Sequence, residues 1–275
     1  MSEFLNDAYT SVDEQHRGKS AATRRQLVGG AAAALGSMGM LAWANDAQAQ
    51  PPTSKLNDAP NNVETIANVA ATAEVLATIV NTVGAERVPL DPQTRLNVRA
   101  AALEEKIHYE VLTSSAVGGK AITKRIWVPD AVFASREGLL TTLVVGDQIF
   151  INAYLLAGTV FARAGGLSGS RFSRYAAEFM GAEAVHRALA LQALGRLGND
   201  RVFMKFGQRE PVSGLPSTNQ PGFYKITQAV EHLEAAGFGF GKQGATPGAF
   251  YDYDEVSKRT PTLADLPQVN TTSLS

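Results

Sequence analysis

Two glutamate–histidine pairs with the same spacing occur in this sequence, in the stretches LEEKIHYE and GAEAVHRA. Glu105 precedes His108 by three positions, and Glu183 precedes His186 by three. Residues three apart are neighbours on the surface of a helix, so each pair can bind one metal ion together. The composition of the chain predicts only about 0.2 such matches by chance. The repeated pair therefore indicates a metal site built from carboxylate and imidazole.

The composition of the chain narrows the chemistry further. It contains no cysteine, which excludes thiolate ligands, a cysteine nucleophile and a disulfide framework. Its net charge is −1, with acidic and basic residues interspersed, which argues against a nucleic-acid surface or a polybasic membrane contact. Oxygen and imidazole ligands suit iron or manganese.

Two further carboxylates stand alone in apolar, helix-like segments. Glu74 is the only charged residue between Thr65 and Val83, and Asp147 is the only one between Leu139 and Ala162. A lone ionised carboxylate inside a protein is costly unless it is paired or binds a metal. Both residues lie near the middle of their segments, as the two glutamate–histidine pairs do. Six ligands converging at one depth would form a two-metal site.

Four long helices are predicted to position these residues. The connections between the first and second helices, and between the third and fourth, are short, which makes antiparallel neighbours. About twenty residues join the second helix to the third, enough to span a helix and let these two run parallel. The predicted helices are Val63–Val83, ended by Gly84; Pro92–Val117, capped by Asp91; Leu139–Ala164, closed by Gly165; and Ser170–Leu197.

The predicted fold is all-α: a ferritin-like four-helix bundle over residues 63–197 with one long crossover. The third helix is long and apolar enough for a membrane check, but three polar residues near its middle favour a buried helix. Residues 198–275 form an irregular C-terminal extension, expected to wrap the bundle, with one short fifth helix in YKITQAVEHLEAAG.

The first 49 residues are predicted to be a signal peptide. The pair Arg24–Arg25 precedes a weakly apolar run, Leu27–Ala44, and the small-residue cleavage sequence AQA follows at 47–49. The paired arginines resemble a twin-arginine signal, whose export machinery would be a partner and which exports folded proteins. Residues 50–62 then read as a linker. The mature protein is expected to be periplasmic or otherwise extracytoplasmic, with no permanent membrane span.

The chain resembles the ferritin-like superfamily of di-metal carboxylate proteins, and more narrowly the bacterial ferritin-like domain family that includes desiccation-related proteins. The stretches ANVAATAEVL, ALEEKIH, DQIFINAYLLAG and GAEAVH carry the resemblance, with the tail LEAAGFGFGKQGATPGAFYDYD. It covers about residues 63–256. Asp147 departs from the pattern, since a glutamate is usual there, and its shorter side chain would hold a second metal loosely or through water. The resemblance implies two iron or manganese ions on Glu74, Glu105, His108, Asp147, Glu183 and His186.

Simpler interpretations of these residues stay open at the level of sequence. Glu105 and His108 could form a surface pair, and Glu74 could pair with an arginine of the crossover such as Arg125. Solvated or core positions are the expectation for the remaining candidates: Glu104 and Glu110 solvated, His232 on the surface, and Tyr109 and Tyr154 in the core.

Two functions of different classes fit the sequence. A two-metal site could support ferroxidase, peroxidase or catalase-like chemistry, and so protection against oxidative stress. Alternatively, the bundle could be a non-catalytic structural or desiccation-stress protein of the cell envelope. Fold-level likeness does not decide between them, because this fold hosts many activities. The sequence identifies no catalytic residue and no substrate, and it leaves a homo-oligomer open.

Overall fold

The computed structural model of the chain describes residues 61–199 and 225–269, and within them the protein is mostly helical. The predicted signal peptide and nearly all of the predicted linker lie outside the described residues. The described elements are α1 (Val63–Arg87), α2 (Pro92–Thr113), β1 (Arg125–Pro129), α3 (Asp130–Phe133), α4 (Arg136–Ala164), α5 (Gly166–Ala193), α6 (Thr227–Ala235), β2 (Gly239–Phe240), β3 (Gly248–Asp252) and α7 (Tyr253–Val256).

Side-chain caps define where the long helices begin. The Asn62 side chain accepts a hydrogen bond of 2.9 Å from the Thr65 N–H at the start of α1. Asp91 accepts one of the same length from the Thr94 N–H at the start of α2, which confirms its predicted role as a cap. Ser135 caps α4 in the same way. These caps supply acceptors for N–H groups that have no partner within the helix.

The prediction that Gly84 ends the first helix is wrong, because α1 continues to Arg87. A Cβ atom at Gly84 would lie 2.6 Å from the Cδ1 atom of Leu139 in α4. Gly84 therefore permits close approach of two helices rather than a change of chain direction. Gly165, by contrast, has φ of 75° and follows the last residue of α4, as predicted for a helix stop.

Contacts at the helix ends show how the four long helices run. Gly84, late in α1, meets Leu139, early in α4, so these two helices are antiparallel. Arg136 at the start of α4 lies 3.8 Å from Asp91, the cap of α2, and also donates a hydrogen bond to the carbonyl of Ala193 at the end of α5. Helices α2 and α4 therefore begin at the same end of the molecule and run in the same direction.

The all-α prediction missed a three-stranded antiparallel sheet with the strand order β2–β1–β3. Strand β1 lies in the long connection between α2 and α4, and Trp127 pairs with both Gly239 and Phe250. Ile126 and Val128 are buried while Arg125 is exposed, the two-residue alternation of a strand. The strand's partners come from more than a hundred residues later, so only the tertiary fold could supply its hydrogen bonds.

The C-terminal segment lies against the long helices at two places. Helix α6 packs against α4, and α7 packs against α1. Beyond α7, the hydroxyls of Thr260 and Thr82 are 2.8 Å apart in the core. The segment is thus tied to both helix pairs.

Helices α1 and α4 are long and apolar enough, by length and composition, to cross a membrane. Most of the apolar stretch of each helix is nevertheless buried inside the protein. Packing in the core therefore accounts for the apolar character of both helices.

Candidate metal centre

Three of the long helices bring four predicted ligands into one buried cluster. Glu74 of α1, Glu105 and His108 of α2, and Glu183 of α5 each offer a ligand atom, and these atoms all lie within 4.8 Å of one another. The three glutamates have no solvent exposure, and His108 has 5%. This group could hold a metal ion.

The burial of the cluster excludes two of the simpler interpretations. Glu105 and His108 do not form a surface pair, because both are buried. Glu74 faces this cluster, whereas the guanidinium of Arg125 lies over the ring of Phe250, 4.0 Å from its centroid. The alternative in which Glu74 pairs with Arg125 is therefore not what the structure shows.

Glu105 and Glu183 each present one oxygen to either histidine. The Nδ1 atom of His108 lies 3.3 Å from Oε2 of Glu105 and 3.6 Å from Oε1 of Glu183. The Nδ1 atom of His186 lies 3.2 Å from Oε1 of Glu105 and 3.5 Å from Oε2 of Glu183. Glu74 adds a carboxylate on the His108 side, where its Oε2 is 3.7 Å from Nδ1. The two glutamates therefore span the space between the two imidazoles.

His186 of α5 and Asp147 of α4 are buried, but neither of these predicted ligands belongs to the four-residue group. Asp147 lies close enough to Glu183, His186 and Glu105 to interact with their charges. The positive charge of Arg187 also acts on the Asp147 carboxyl. Asp147 therefore sits at the His186 side of the cluster. The short side chain of Asp147 is consistent with its position outside the four-residue group.

Every one of the six predicted ligands has a buried ligand atom that makes no hydrogen bond. Unpaired buried polar atoms are rare in proteins, and unpaired buried carboxylates are costly. Here they are concentrated at one place, which is the pattern expected where a cation completes the site. The atoms are Glu74 Oε2, both carboxylate oxygens of Glu105 and of Glu183, His108 Nδ1, Asp147 Oδ2 and His186 Nδ1.

Burial and mutual charge shift the proton equilibria of the cluster. Burial, together with the charge of Glu105, raises the pKa of Glu74 to about 8, although His108 opposes the shift. Burial and the charge of Glu183 likewise raise the pKa of Asp147 well above its ordinary value. Burial opposes protonation of the imidazoles, but the surrounding carboxylates outweigh it and raise the pKa of both His108 and His186. Without a metal, protons compensate the clustered negative charge.

Two residues that touch the cluster were not assigned to it from the sequence. Glu104, interpreted as solvated, instead hydrogen-bonds the Nε2 atom of His186, with its side chain 28% exposed. The sequence did contain a signal for this role. Glu104 stands four residues before His108, and residues with this spacing share a helix face. Tyr154 is a core residue as expected, and its hydroxyl also donates to Oε1 of Glu74. Its spacing of seven residues from Asp147 places both on one face of α4.

The remaining candidates lie away from the cluster. Tyr109 packs against Tyr253, with ring centroids 4.6 Å apart, and Glu110 is exposed. His232 is half-buried on α6 and is not part of the four-residue group. Comparisons with protein-family models, with curated proteins and with solved structures found no match for this chain.

Proposed function

We propose that this chain is an exported, ferritin-like metal protein that binds two iron or manganese ions between its four long helices and protects against oxidants. The observation that carries the proposal is the convergence of buried ligand atoms from all six residues, none of which makes a hydrogen bond. A ferritin-like four-helix bundle accounts for the contacts among the long helices. In such a bundle α1 and α2 form one antiparallel pair, α4 and α5 form the other, and α2 and α4 run parallel.

The way the glutamate oxygens are divided between the two imidazoles supports two metal positions. The His108 position would use Nδ1 of His108, Glu74 and one oxygen each from Glu105 and Glu183. The His186 position would use Nδ1 of His186, Asp147 and the other oxygen of each glutamate. Glutamates that face both imidazoles can bridge two ions, which supports two metals rather than one.

The residues around the cluster prepare it for binding. Glu104 accepts a hydrogen bond from Nε2–H of His186, so a metal ion that displaced the other ring proton would meet the lone pair of Nδ1. Tyr154 holds the Glu74 carboxyl through its hydroxyl, and Phe179 packs over the ring of His108 at 4.1 Å between centroids. When bound, two iron or manganese ions supply one electron each, the two electrons that with two protons reduce hydrogen peroxide to two waters.

Metal analysis of the purified protein tests this proposal. Protein produced with added iron or manganese should contain about two ions per chain by elemental analysis, and it should consume hydrogen peroxide. Glu105→Ala and His186→Ala should lower the metal content strongly, since each removes a direct ligand. Asp147→Ala should lower it less, and Asp147→Glu should tighten the His186 position.

His232→Ala provides the control, because His232 lies on α6, which carries none of the six predicted ligands, and this variant should keep its full metal content. Native protein that folds without binding either metal would overturn the proposal. The non-catalytic structural function would then replace it. One ion per chain, with Asp147 variants unaffected, would contradict the two-metal site.

A further inference from the structure

Small cavities adjoin the cluster from the side of Asp147. The first cavity, about 30 Å³ in volume, lies between α1, α4 and α6 and is partly open to solvent. The second, about 20 Å³, lies among the four long helices and reaches His186. Asn81, Leu143 and Asp147 line both cavities. The two cavities thus share part of their walls, and Asp147 places both beside the His186 side of the cluster.

The walls of the first cavity determine what can occupy it. Its lining is mainly apolar, with side chains such as Leu76, Val80 and Phe150, and its polar side chains are those of Asn81, Thr142 and Asp147. Asn81 and Asp147 are both at least nine-tenths buried, and Asn81 Oδ1 and Asp147 Oδ2 make no hydrogen bond. A volume of about 30 Å³ has room for about two water-sized molecules.

The C-terminal segment forms the outer wall of this cavity. Leu233 and Ala236, on or just after α6, and Phe238, just before β2, lie against the α1 and α4 side chains that form its floor. Phe238 and Leu233 are themselves buried. The segment therefore encloses the cavity that Asp147 also lines.

We propose that this first cavity is the passage by which a water-sized, uncharged reactant such as hydrogen peroxide or dioxygen reaches the metal centre, and that its size excludes larger peroxides. This inference rests on the proposed function. The opposite side of the cluster offers a poorer route. There a cavity of about 10 Å³ reaches Tyr154 and Phe179, which is at the lower limit for holding one water.

Two alanines of α1 give a matched pair of variants. Ala77 lines the first cavity and Ala70 lines the cavity on the opposite side, seven residues away, and both are 8% exposed. Ala77→Leu should fill the proposed passage, whereas Ala70→Leu fills the alternative. Val145→Phe provides a second obstruction, because Val145 lines the first cavity and is only partly buried. Val145→Phe replaces Ala77→Leu in the measurements if Ala77→Leu does not fold.

The first measurement needs no metal. Crystals of the metal-free protein under xenon pressure should show xenon in the first cavity in the wild type and in Ala70→Leu, and none there in Ala77→Leu, because apolar cavities bind xenon. An empty first cavity in the pressurised wild type would overturn the inference. So would undiminished xenon in Ala77→Leu.

The second measurement follows the oxidation of the ferrous protein by stopped flow. Ala77→Leu should slow the reaction with hydrogen peroxide by about tenfold or more, while Ala70→Leu matches the wild type. Tert-butyl hydroperoxide should react at least about tenfold more slowly than hydrogen peroxide with the wild type. Equal rates for the two variants, a slower Ala70→Leu, or no size preference would overturn the passage while leaving the metal site intact. Failure to bind metal would instead refute the proposed function, independently of the xenon result.

Discussion

At the scale of single residues, the cluster depends on how each imidazole is oriented. The Nδ1 atoms of both histidines face carboxylates, and the opposite nitrogen of His186 is held by Glu104. Partners of this kind fix the orientation of a ligand and strengthen it as a base. Glu104 and Glu105 are neighbours in sequence and contact the two nitrogens of the same ring from α2. A surface-like residue thus becomes part of the site.

Replacing Glu104 should weaken metal binding without removing a ligand. We expect Glu104→Ala to lower metal affinity by about 10- to 100-fold, the usual effect of losing a residue that orients a metal ligand. Glu104→Gln should lie between this variant and the wild type, because its amide oxygen can still accept the hydrogen bond. Titration against a competing chelator measures the change. Glu110→Gln, an exposed change on the same helix, should have no effect. Wild-type affinity in Glu104→Ala would show that the contact does not position His186.

At the scale of the helices, the close approach of α1 to α4 brings Glu74 to the hydroxyl of Tyr154. Gly84 makes that approach possible near the other end of the contact. Leu139 has no solvent exposure, so its side chain has little room to move away from an added methyl group. The glycine therefore has a packing role within a helix, where it would otherwise be unfavourable.

Gly84→Ala should destabilise the protein by about 1–3 kcal/mol, because the new Cβ would overlap the Leu139 side chain. Chemical denaturation of the metal-free protein measures this loss. Gly158→Ala in α4 is the matched control, since nothing lies within 4 Å of its added Cβ. That variant should gain about 0.5–1 kcal/mol from the helix preference of alanine. Equal effects of the two substitutions would contradict a packing role for Gly84. Adding Leu139→Ala to Gly84→Ala should relieve part of the overlap.

At the scale of the whole molecule, the buried charges link stability to pH. In the metal-free protein, Glu74 holds its proton up to about pH 8, whereas in the unfolded chain it loses it near 4.5. Asp147, His108 and His186 shift in the same direction. The folded state therefore binds more protons than the unfolded state in this window, and its stability falls as pH rises. Under the proposed function, a bound metal would displace these protons, so its binding should strengthen with pH.

The melting temperature of the metal-free protein, kept in chelator, should decrease between pH 5 and pH 8. The metal-loaded protein should show a growing advantage over the same range, since binding to the folded state alone raises stability. Calorimetry at several pH values measures both. Glu74→Gln, which mimics the protonated carboxyl, should flatten the slope for the metal-free protein. A melting temperature that rises with pH in chelator would contradict the proton-filled cluster.

The prediction of export concerns the full chain and rests on residues outside those that the structure describes. We expect the mature protein to begin near Gln50 and to accumulate outside the cytoplasmic membrane. N-terminal sequencing of the fractionated protein tests this. Replacing both Arg24 and Arg25 by lysine should block export, whereas Lys19→Arg, outside the arginine pair, should not. Soluble cytoplasmic protein that retains Met1 would show that residues 1–49 are not a signal.

Much of the fold and the identity of the candidate ligands could be predicted from local patterns. The repeated glutamate–histidine spacing selected four residues, and the lone carboxylates at 74 and 147 added two, because an isolated charge in an apolar segment requires a partner. The cap at Asp91 could also be predicted from the sequence, because its side chain bonds to a residue only three positions away. Helical periodicity and caps are local, so they leave a signal in a short window of sequence.

Only the tertiary structure decided the relations between distant segments. It placed Glu104 against His186, 82 positions away, and it turned Gly84 into a contact with Leu139 rather than a helix stop. It also paired β1 with two strands of the C-terminal segment, where the sequence indicated an irregular wrap. These features depend on which helix faces meet and at what depth. The sequence therefore determined which residues have the chemistry of a metal centre, while packing of the four long helices decided which of their atoms face one another.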